Sequence, residues 1–265
     1  MQHIPFYKYQ GTGNDFVMID NRSRSYLTRE DTVTIEKLCD RRFGIGADGL
    51  ILLQEKPDYD FEMVYFNSDG KEGSMCGNGG RCTVAFAQHL GIIKDYCRFW
   101  AIDGVHEANI KGNNWVELKM VDVPTVEQQP GFSFLDTGSP HYVRFVDDLN
   151  TLDIIPEAHK VRYSERFKAK GTNVNFVQAQ TDGIKIITYE RGVEDETLSC
   201  GTGVTAAAIA YYLQQPSPER QAVNIQAKGG QLQVRFHPNG QGFNDIWLCG
   251  PAEQVFQGTI SIDND

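Results

Sequence analysis

Short runs of alternating or β-branched apolar residues, broken by Gly, Asn and Asp, recur along the chain. FEMVYF at 61 to 66, WVELKM at 115 to 120 and IKIITYE at 184 to 190 read as strands. Side chains two apart share a face of a pleated ribbon, and β-branched or aromatic residues pack well there. Helical spacing is confined to two stretches. After Cys76, the residues Cys82, Phe86 and Leu90 fall at i, i+4 and i+8, with Gly91 as a C-cap. After Cys200, the residues Val204, Ala208, Tyr211 and Tyr212 share one face before Pro216. Many strands and two helices predict an α+β fold. Both helices start directly after a cysteine, in SMCGNGGRC at 74 to 82 and SCGTG at 199 to 203.

The chain also repeats itself, which bears on the fold before any motif does. Thr12-Gly13-Asn14-Asp15-Phe16-Val17 returns as Thr137-Gly138-Ser139-Pro140-His141-Tyr142-Val143, with one residue inserted. Gly46 before DGLILLQ corresponds to Gly171 before NVNFVQA, and Gly104 corresponds to Gly229. Cys76 corresponds to Cys200. Four markers in one order predict two pseudo-symmetric halves, each a mostly antiparallel sheet wrapped around a central helix. Residues 1–122 form the half carrying Cys76 and residues 123–252 the half carrying Cys200, joined near 121–131. The closing stretch, 253–265, contains EQVFQGTISI, which resembles the strand opening each half and is expected to return to the first.

Composition narrows the ligand. The 265 residues are 40% hydrophobic and 23% charged, enough to bury one large core or two modest ones. A formal net charge of -10 without a Lys/Arg block argues against nucleic acid or an anionic membrane as partner, leaving a small molecule. The N-terminal MQHIPFYKYQGTG lacks the plan of a secretory leader, and no apolar run approaches the ~18 residues of a membrane span, so a cytoplasmic location is expected. Thiols stay reduced there. The 6 cysteines contain no CxxC pair and no His spacing that completes a zinc site, so no metal is expected. Cys39, Cys82, Cys97 and Cys249 read as small buried hydrophobes.

Cys76 and Cys200 differ because each precedes Gly-x-Gly and a helix. Free N–H groups and the macrodipole at a helix N-terminus favour negative charge, so they stabilise a thiolate. Glycines let those amides approach a carboxylate closely. A cleft between two such halves could set one sulfur on each face of a bound carbon, at about 3 to 3.5 Å, with a thiolate removing a proton and a thiol returning one. The carbon would leave inverted. Other readings stay open at this point. GIGADG at 44 to 49 fits a dinucleotide fingerprint but precedes a strand, and GTGVTA at 201 to 206 opens a helix without a surrounding βαβ unit. A hydrolase using His141 as base leaves the second CGxG idle. A redox pair needs Cα atoms within about 7 Å. Asn14 and Asn78 beside glycine are ordinary turn formers, and Glu190 and Arg191 can be a solvated pair.

GTGNDFV at 11 to 17, GIGADGL at 44 to 50, FNSDGKEGSMCGNGGRC at 66 to 82 and ERGVEDETLSCGTG at 190 to 203 together resemble the diaminopimelate epimerase family, nearly end to end. The resemblance implies two pseudo-symmetric halves with the active site between them, a homodimer, and no cofactor or metal. It implies Cys76 and Cys200 as the acid/base pair converting LL- to meso-diaminopimelate, on the route to lysine. Amides at Gly77, Asn78, Gly201 and Thr202 would hold the α-carboxylate. Asn14, Asn67, Asn173, Glu190 and Arg191 match the family's substrate contacts, and His141 and Glu190 match positions thought to tune the cysteines. Two features depart from the pattern: Ser139 stands where the family commonly has Asn, and the stretch from Glu190 to Cys200 is one residue longer than in many members. A racemase of proline, hydroxyproline or histidine is the alternative within the same fold, and a non-catalytic amino-acid-binding module the alternative outside it.

Overall fold

A computed structural model describes residues 1–217, 221–240 and 242–262. The chain divides into two compact units, Met1–Leu118 with the stretch from Pro251 onward, and Lys119–Gly250.

In the first unit, β1 (Gln2–Gly11) turns at Thr12 and Gly13 into the antiparallel β2 (Asn14–Asp20). Both turn residues have positive φ, 51° and 86°, which Gly13 adopts freely and Thr12 holds at a conformational cost. Helix α1 (Thr32–Cys39) leads to β3 (Gly49–Gln54), parallel to β2, and β4 (Phe61–Asn67) returns antiparallel to β3. Helix α2 (Gly77–His89) connects to β5 (Tyr96–Ala101), parallel to β4, before β6 (Gly104–Lys111) and β7 (Trp115–Lys119) close an antiparallel meander.

The second unit repeats that order. After β8 (Glu127–Gln129) and β9 (Phe132–Asp136), β10 (Pro140–Phe145) passes through α3 (Ile154–Arg162) to the parallel β11 (Asn173–Gln180). Strands β12 (Gly183–Glu190) and β13 (Asp195–Thr197) precede α4 (Gly201–Gln214). Then come β14 (Ala222–Ala227), parallel to β12, and the antiparallel β15 (Gly230–Asn239) and β16 (Gly242–Pro251). Strand β17 (Glu253–Ile262) belongs to the first unit and runs antiparallel along β1. Residues 263–265 of the expected closing stretch lie outside the described residues.

Each sheet is therefore mixed, antiparallel except where a helix crosses over, and the α+β expectation holds. Helix α2 is buried from Gly77 to Ala87, and α4 from Val204 to Ala210. A helix apolar on all sides belongs inside a core, so placing Val204, Ala208, Tyr211 and Tyr212 on one face understated how α4 packs. The sequence reading also missed α1 and α3. Each is a short helix covering the sheet face opposite the central helix. Ile35, Leu38 and Cys39 of α1 pack with Val17, Ile19, Leu50, Leu52 and Val64. Ile154 and Ala158 of α3 pack with Val174, Phe176 and Tyr189. Strands covered on both faces lose alternation, which accounts for the unbroken apolar runs of β2 and β3. Among the described residues no helix is long and apolar enough to cross a membrane.

Candidate active site

Cys76 is the N-cap of α2 and Cys200 the N-cap of α4, both in extended backbone. Neither side chain caps its helix, while their carbonyls accept the first helical bonds, from Gly80 N at 2.7 Å and Val204 N at 2.8 Å. Gly77, Asn78 and Gly201 are buried in the opening turns, with Thr202 half-buried beside them. The helix starts expected from sequence are present at both cysteines. The remaining thiols are another population: burial pushes Cys39, Cys82 and Cys97 each up to about 12, which makes them inert.

In the first unit the surroundings of Cys76 carry charge. The half-buried Cys76 Sγ donates to Asn14 Oδ1 at 3.6 Å, and Asn78 Nδ2 donates to the same oxygen at 3.4 Å. Asn14 Nδ2 donates to Asp48 Oδ2 at 2.6 Å. Asp48 shares Arg41 with Asp15, each at 2.7 Å, and Lys8 reaches Asp15 at 2.8 Å. Burial works against the Asp15 anion, but Arg41 and Lys8 outweigh it and hold the carboxyl far below the usual range. Arg81, fully buried, ties α2 to the β1–β2 turn by donating to Thr12 Oγ1 at 3.1 Å and Asn78 Oδ1 at 2.9 Å. Asn67 stands apart at the exposed end of β4, where its backbone bonds Lys71 O at 2.9 Å and its Oδ1 accepts from Tyr65 OH at 3.1 Å.

In the second unit the surroundings of Cys200 are mostly neutral. Cys200 is 8% exposed, and its Sγ lies 3.4 Å from Thr202 Oγ1. His141, on β10 and fully buried, places Nε2 at 2.9 Å from both Thr202 Oγ1 and Ser139 Oγ. Burial, with the positive charge of Arg191, pushes the imidazole down to about 3, so it is neutral near pH 7. Burial raises Glu190 above its ordinary value, while the neighbouring Thr197 hydroxyl and Cys200 thiol pull it back down. Asn173 donates from Nδ2 to Ser139 Oγ and Pro140 O, both at 3.1 Å, and its Oδ1 accepts the Arg191 amide at 2.9 Å. The Arg191 side chain is exposed, with Nη1 on Lys170 O at 3.1 Å. Gly171, at φ 74°, leaves room for its stem, since a Cβ there would lie 2.6 Å from Arg191 Cδ. Cys200, Gly201, Thr202, His141, Asn173, Glu190 and Arg191 thus converge within one unit, as Cys76, Asn14, Gly77 and Asn78 do in the other.

Sequence reasoning missed Asn175 and Thr188. Asn175 Nδ2 reaches His141 Nδ1 at 3.1 Å and Tyr142 O at 3.0 Å, while Thr188 Oγ1 donates to Asn175 Oδ1 at 2.9 Å. Asn175 lies two residues from Asn173 on the face of β11 that also presents Val177, and a buried Asn in a strand is the signal that was available. It missed Glu194 too, which holds the turn after Arg191. Glu194 bonds Arg162 at 2.8 Å, Tyr189 OH at 3.0 Å and the Gly192 amide at 3.2 Å, at a φ of 59°. Among the described residues no group of three or more His, Cys, Asp or Glu side chains is placed to hold a metal.

A sequence profile described as Diaminopimelate epimerase matches residues 6–126 and again 133–255, one cysteine-bearing loop in each match. The chain belongs to the diaminopimelate epimerase family. It is 52% identical over 258 residues to the diaminopimelate epimerase of Flavobacterium psychrophilum, covering 97% of this chain and 100% of that one. It is 42% identical to the diaminopimelate epimerase of Chlorobaculum tepidum, covering 95% of this chain and 99% of that one. Members of this family share their fold more widely. A hydroxyproline epimerase of Agrobacterium vitis, solved with trans-4-hydroxy-L-proline bound, superposes with a TM-score of 0.70 at 13% identity, covering 99% of this chain and 93% of that one. A PhzF-family phenazine biosynthesis protein of Bacillus anthracis gives 0.74 at 14% identity, covering 99% of this chain and all of that one. At such identity only the fold carries over.

Proposed function

We propose that this chain interconverts LL- and meso-diaminopimelate, a step of lysine biosynthesis, by two-base proton transfer through Cys76 and Cys200. The observation that carries the proposal is the doubled one: each unit supplies a cysteine at the N-terminus of a buried helix opened by glycine. Inversion requires the sulfurs to reach opposite faces of one α-carbon, each about 3 to 3.5 Å away. One thiolate takes the α-proton while the other sulfur gives its proton to the far face, so the proton count of the enzyme is unchanged. The amides of Gly77, Asn78, Gly201 and Thr202 hold the α-carboxylate and stabilise the charge developing as the carbon is deprotonated. An amino-acid Cα–H is far less acidic than a thiol, and this electrostatic support is what the reaction needs. Asn14, Asn67 and Asn173 bond the amino and carboxyl groups, Arg191 forks onto the distal carboxylate, and Glu190 meets an ammonium. His141 and Glu190 set the ionisation of Cys200.

Free thiols as acid and base suit a reducing compartment, so the proposal includes a cytoplasmic location, and it includes a homodimer as the working form. Incubation in heavy water tests the reaction. Deuterium is expected at the α-carbon of diaminopimelate and absent from proline and histidine. Exchange into proline or histidine instead assigns the chain to a neighbouring racemase activity, and no exchange into any of the three overturns the proton-transfer chemistry.

A further inference from the structure

We infer that Glu194 is a positioning residue for substrate recognition: it clamps the turn after β12 so that Arg191 meets the distal carboxylate of the substrate with its own charge uncommitted. This role rests on the distal contact proposed above for Arg191 and names what sets it.

The turn is short and carries two left-handed residues. Residues 191–194 join β12 to β13, and the Glu194 amide donates to Glu190 O at 2.8 Å. Gly192 stands at φ 94° and Glu194 at φ 59°. Glycine enters that region freely, whereas a residue with a Cβ does so at a cost, so something must hold Glu194 there. Its carboxylate does. Oε1 accepts from Arg162 Nη2 at 2.8 Å and from the Gly192 amide at 3.2 Å. Oε2 accepts from the Tyr189 hydroxyl at 3.0 Å and the Tyr163 hydroxyl at 3.2 Å. Burial opposes the anion, but Arg162, the Gly192 amide and Tyr189 outweigh it and hold the carboxyl down to about 2. The donors are themselves anchored. Tyr189 is fully buried on β12 with its hydroxyl 3.1 Å from His159 Nε2, and Arg162 is the last residue of α3. The turn is thereby tied to the end of that helix.

The clamp also decides which arginine is left for a ligand. Arg162 and Arg191 both lie against Gly171, where a Cβ would stand 3.2 Å from Arg162 Cζ and 2.6 Å from Arg191 Cδ. Two cationic side chains sharing one glycine repel each other, and Glu194 neutralises one of them. Arg162 takes that pairing. Among the described residues no carboxylate is paired with Arg191, whose Nη1 donates to Lys170 O at 3.1 Å. Its backbone is held at the start of the turn as well, since Asn173 Oδ1 accepts the Arg191 amide at 2.9 Å. A guanidinium fixed at its base, with N–H donors to spare and no protein anion on it, suits a carboxylate brought by a substrate.

Steady-state kinetics of diaminopimelate epimerisation test this role, with urea unfolding of each variant as the control for folding. Glu194→Gln should raise KM about 3- to 5-fold while kcat falls less than about twofold, because a distal contact is made in ground state and transition state alike. Glu194→Gly should raise KM at least as much, although glycine accepts φ 59° without cost; a residue needed only to shape the turn would be replaced by glycine without loss. Arg191→Met should raise KM by more than about tenfold, and adding Glu194→Gln to it should change KM no further, since Glu194 acts through Arg191. A wild-type KM in either Glu194 variant overturns the assignment, as does a Glu194→Gln effect that persists in full on the Arg191→Met background. Failure of the distal contact itself reads differently: an unchanged KM in Arg191→Met would remove that contact, and the role of Glu194 with it.

Discussion

The helix starts at Cys76 and Cys200 come from the same repeated pattern, yet their neighbourhoods differ in kind. Around Cys76 the chain gathers full charges, with Lys8 and Arg41 facing Asp15 and Asp48 and with Arg81 buried beneath the turn. Around Cys200 neutral donors and acceptors run in series from Thr188 through Asn175 and His141 to Thr202, with Glu190 and Arg191 as the charged groups beside them. The repeat shows why: Asn14 stands on the sulfur in one half, while its counterpart Ser139 stands on His141 in the other. Duplication supplies two equal helix dipoles, and the side chains of the preceding turn make their sulfurs unequal. A two-base inversion benefits from that inequality, since one sulfur must be charged when the other is not.

The largest effect expected is the loss of either sulfur. Cys76→Ala and Cys200→Ala should each lower epimerisation by about 10²- to 10⁴-fold, read by deuterium entry or by chiral separation of products, and the double variant should be no worse than either single one. Additive losses would mean that the halves work independently. The glycines sharpen the contrast next. Gly203→Ala should cost about 1 to 3 kcal/mol in urea unfolding, because its Cβ would strike a buried amide that Thr188 and Tyr142 hold in place. Gly79→Ala, at the matching place in α2, would press on the flexible ends of Ile51 and Met63 at 3.2 Å, with the Phe16 ring in ordinary contact at 3.5 Å, and should cost less than about 1 kcal/mol.

Acid separates the halves by pH window. From pH 6.5 down toward 3 the unfolded chain binds a proton that folded His141 refuses, so stability should fall across that range. His141→Gln should flatten the slope there. The folded-state pKa of Asp15 is lowered from its ordinary 3.8, so its contribution is complete above that value and is lost only at lower pH; Asp15→Asn should leave the upper window unchanged. The smallest effect belongs to Glu194→Gln, whose side chain is 34% exposed: less than about 1 kcal/mol of stability, with KM rising more than kcat falls if the turn it holds presents Arg191 to the substrate.

Much of this was legible without coordinates. Gly91 ends α2 at φ 71° as its place after an apolar face implies, and the strands read at 61 to 66, 115 to 120 and 184 to 190 are β4, β7 and most of β12. Helices α1 and α3 were lost because eight or nine residues offer too few turns for a period to stand out. Asn175 and Thr188 were lost because a polar residue in a strand has meaning only when its partner across the sheet is known. Glu194 was lost because its charged partner, Arg162 of α3, is remote in sequence.

By itself the sequence determined the doubled plan, the two cysteines at helix starts and the family to which the chain belongs, since these depend on local chemistry at fixed spacing. Only the tertiary structure decided that His141 is buried and neutral, and that Asn14 turns its oxygen to Cys76. Burial and hydrogen-bond direction are properties of neighbours brought together from distant strands, and a linear pattern of residues does not carry them.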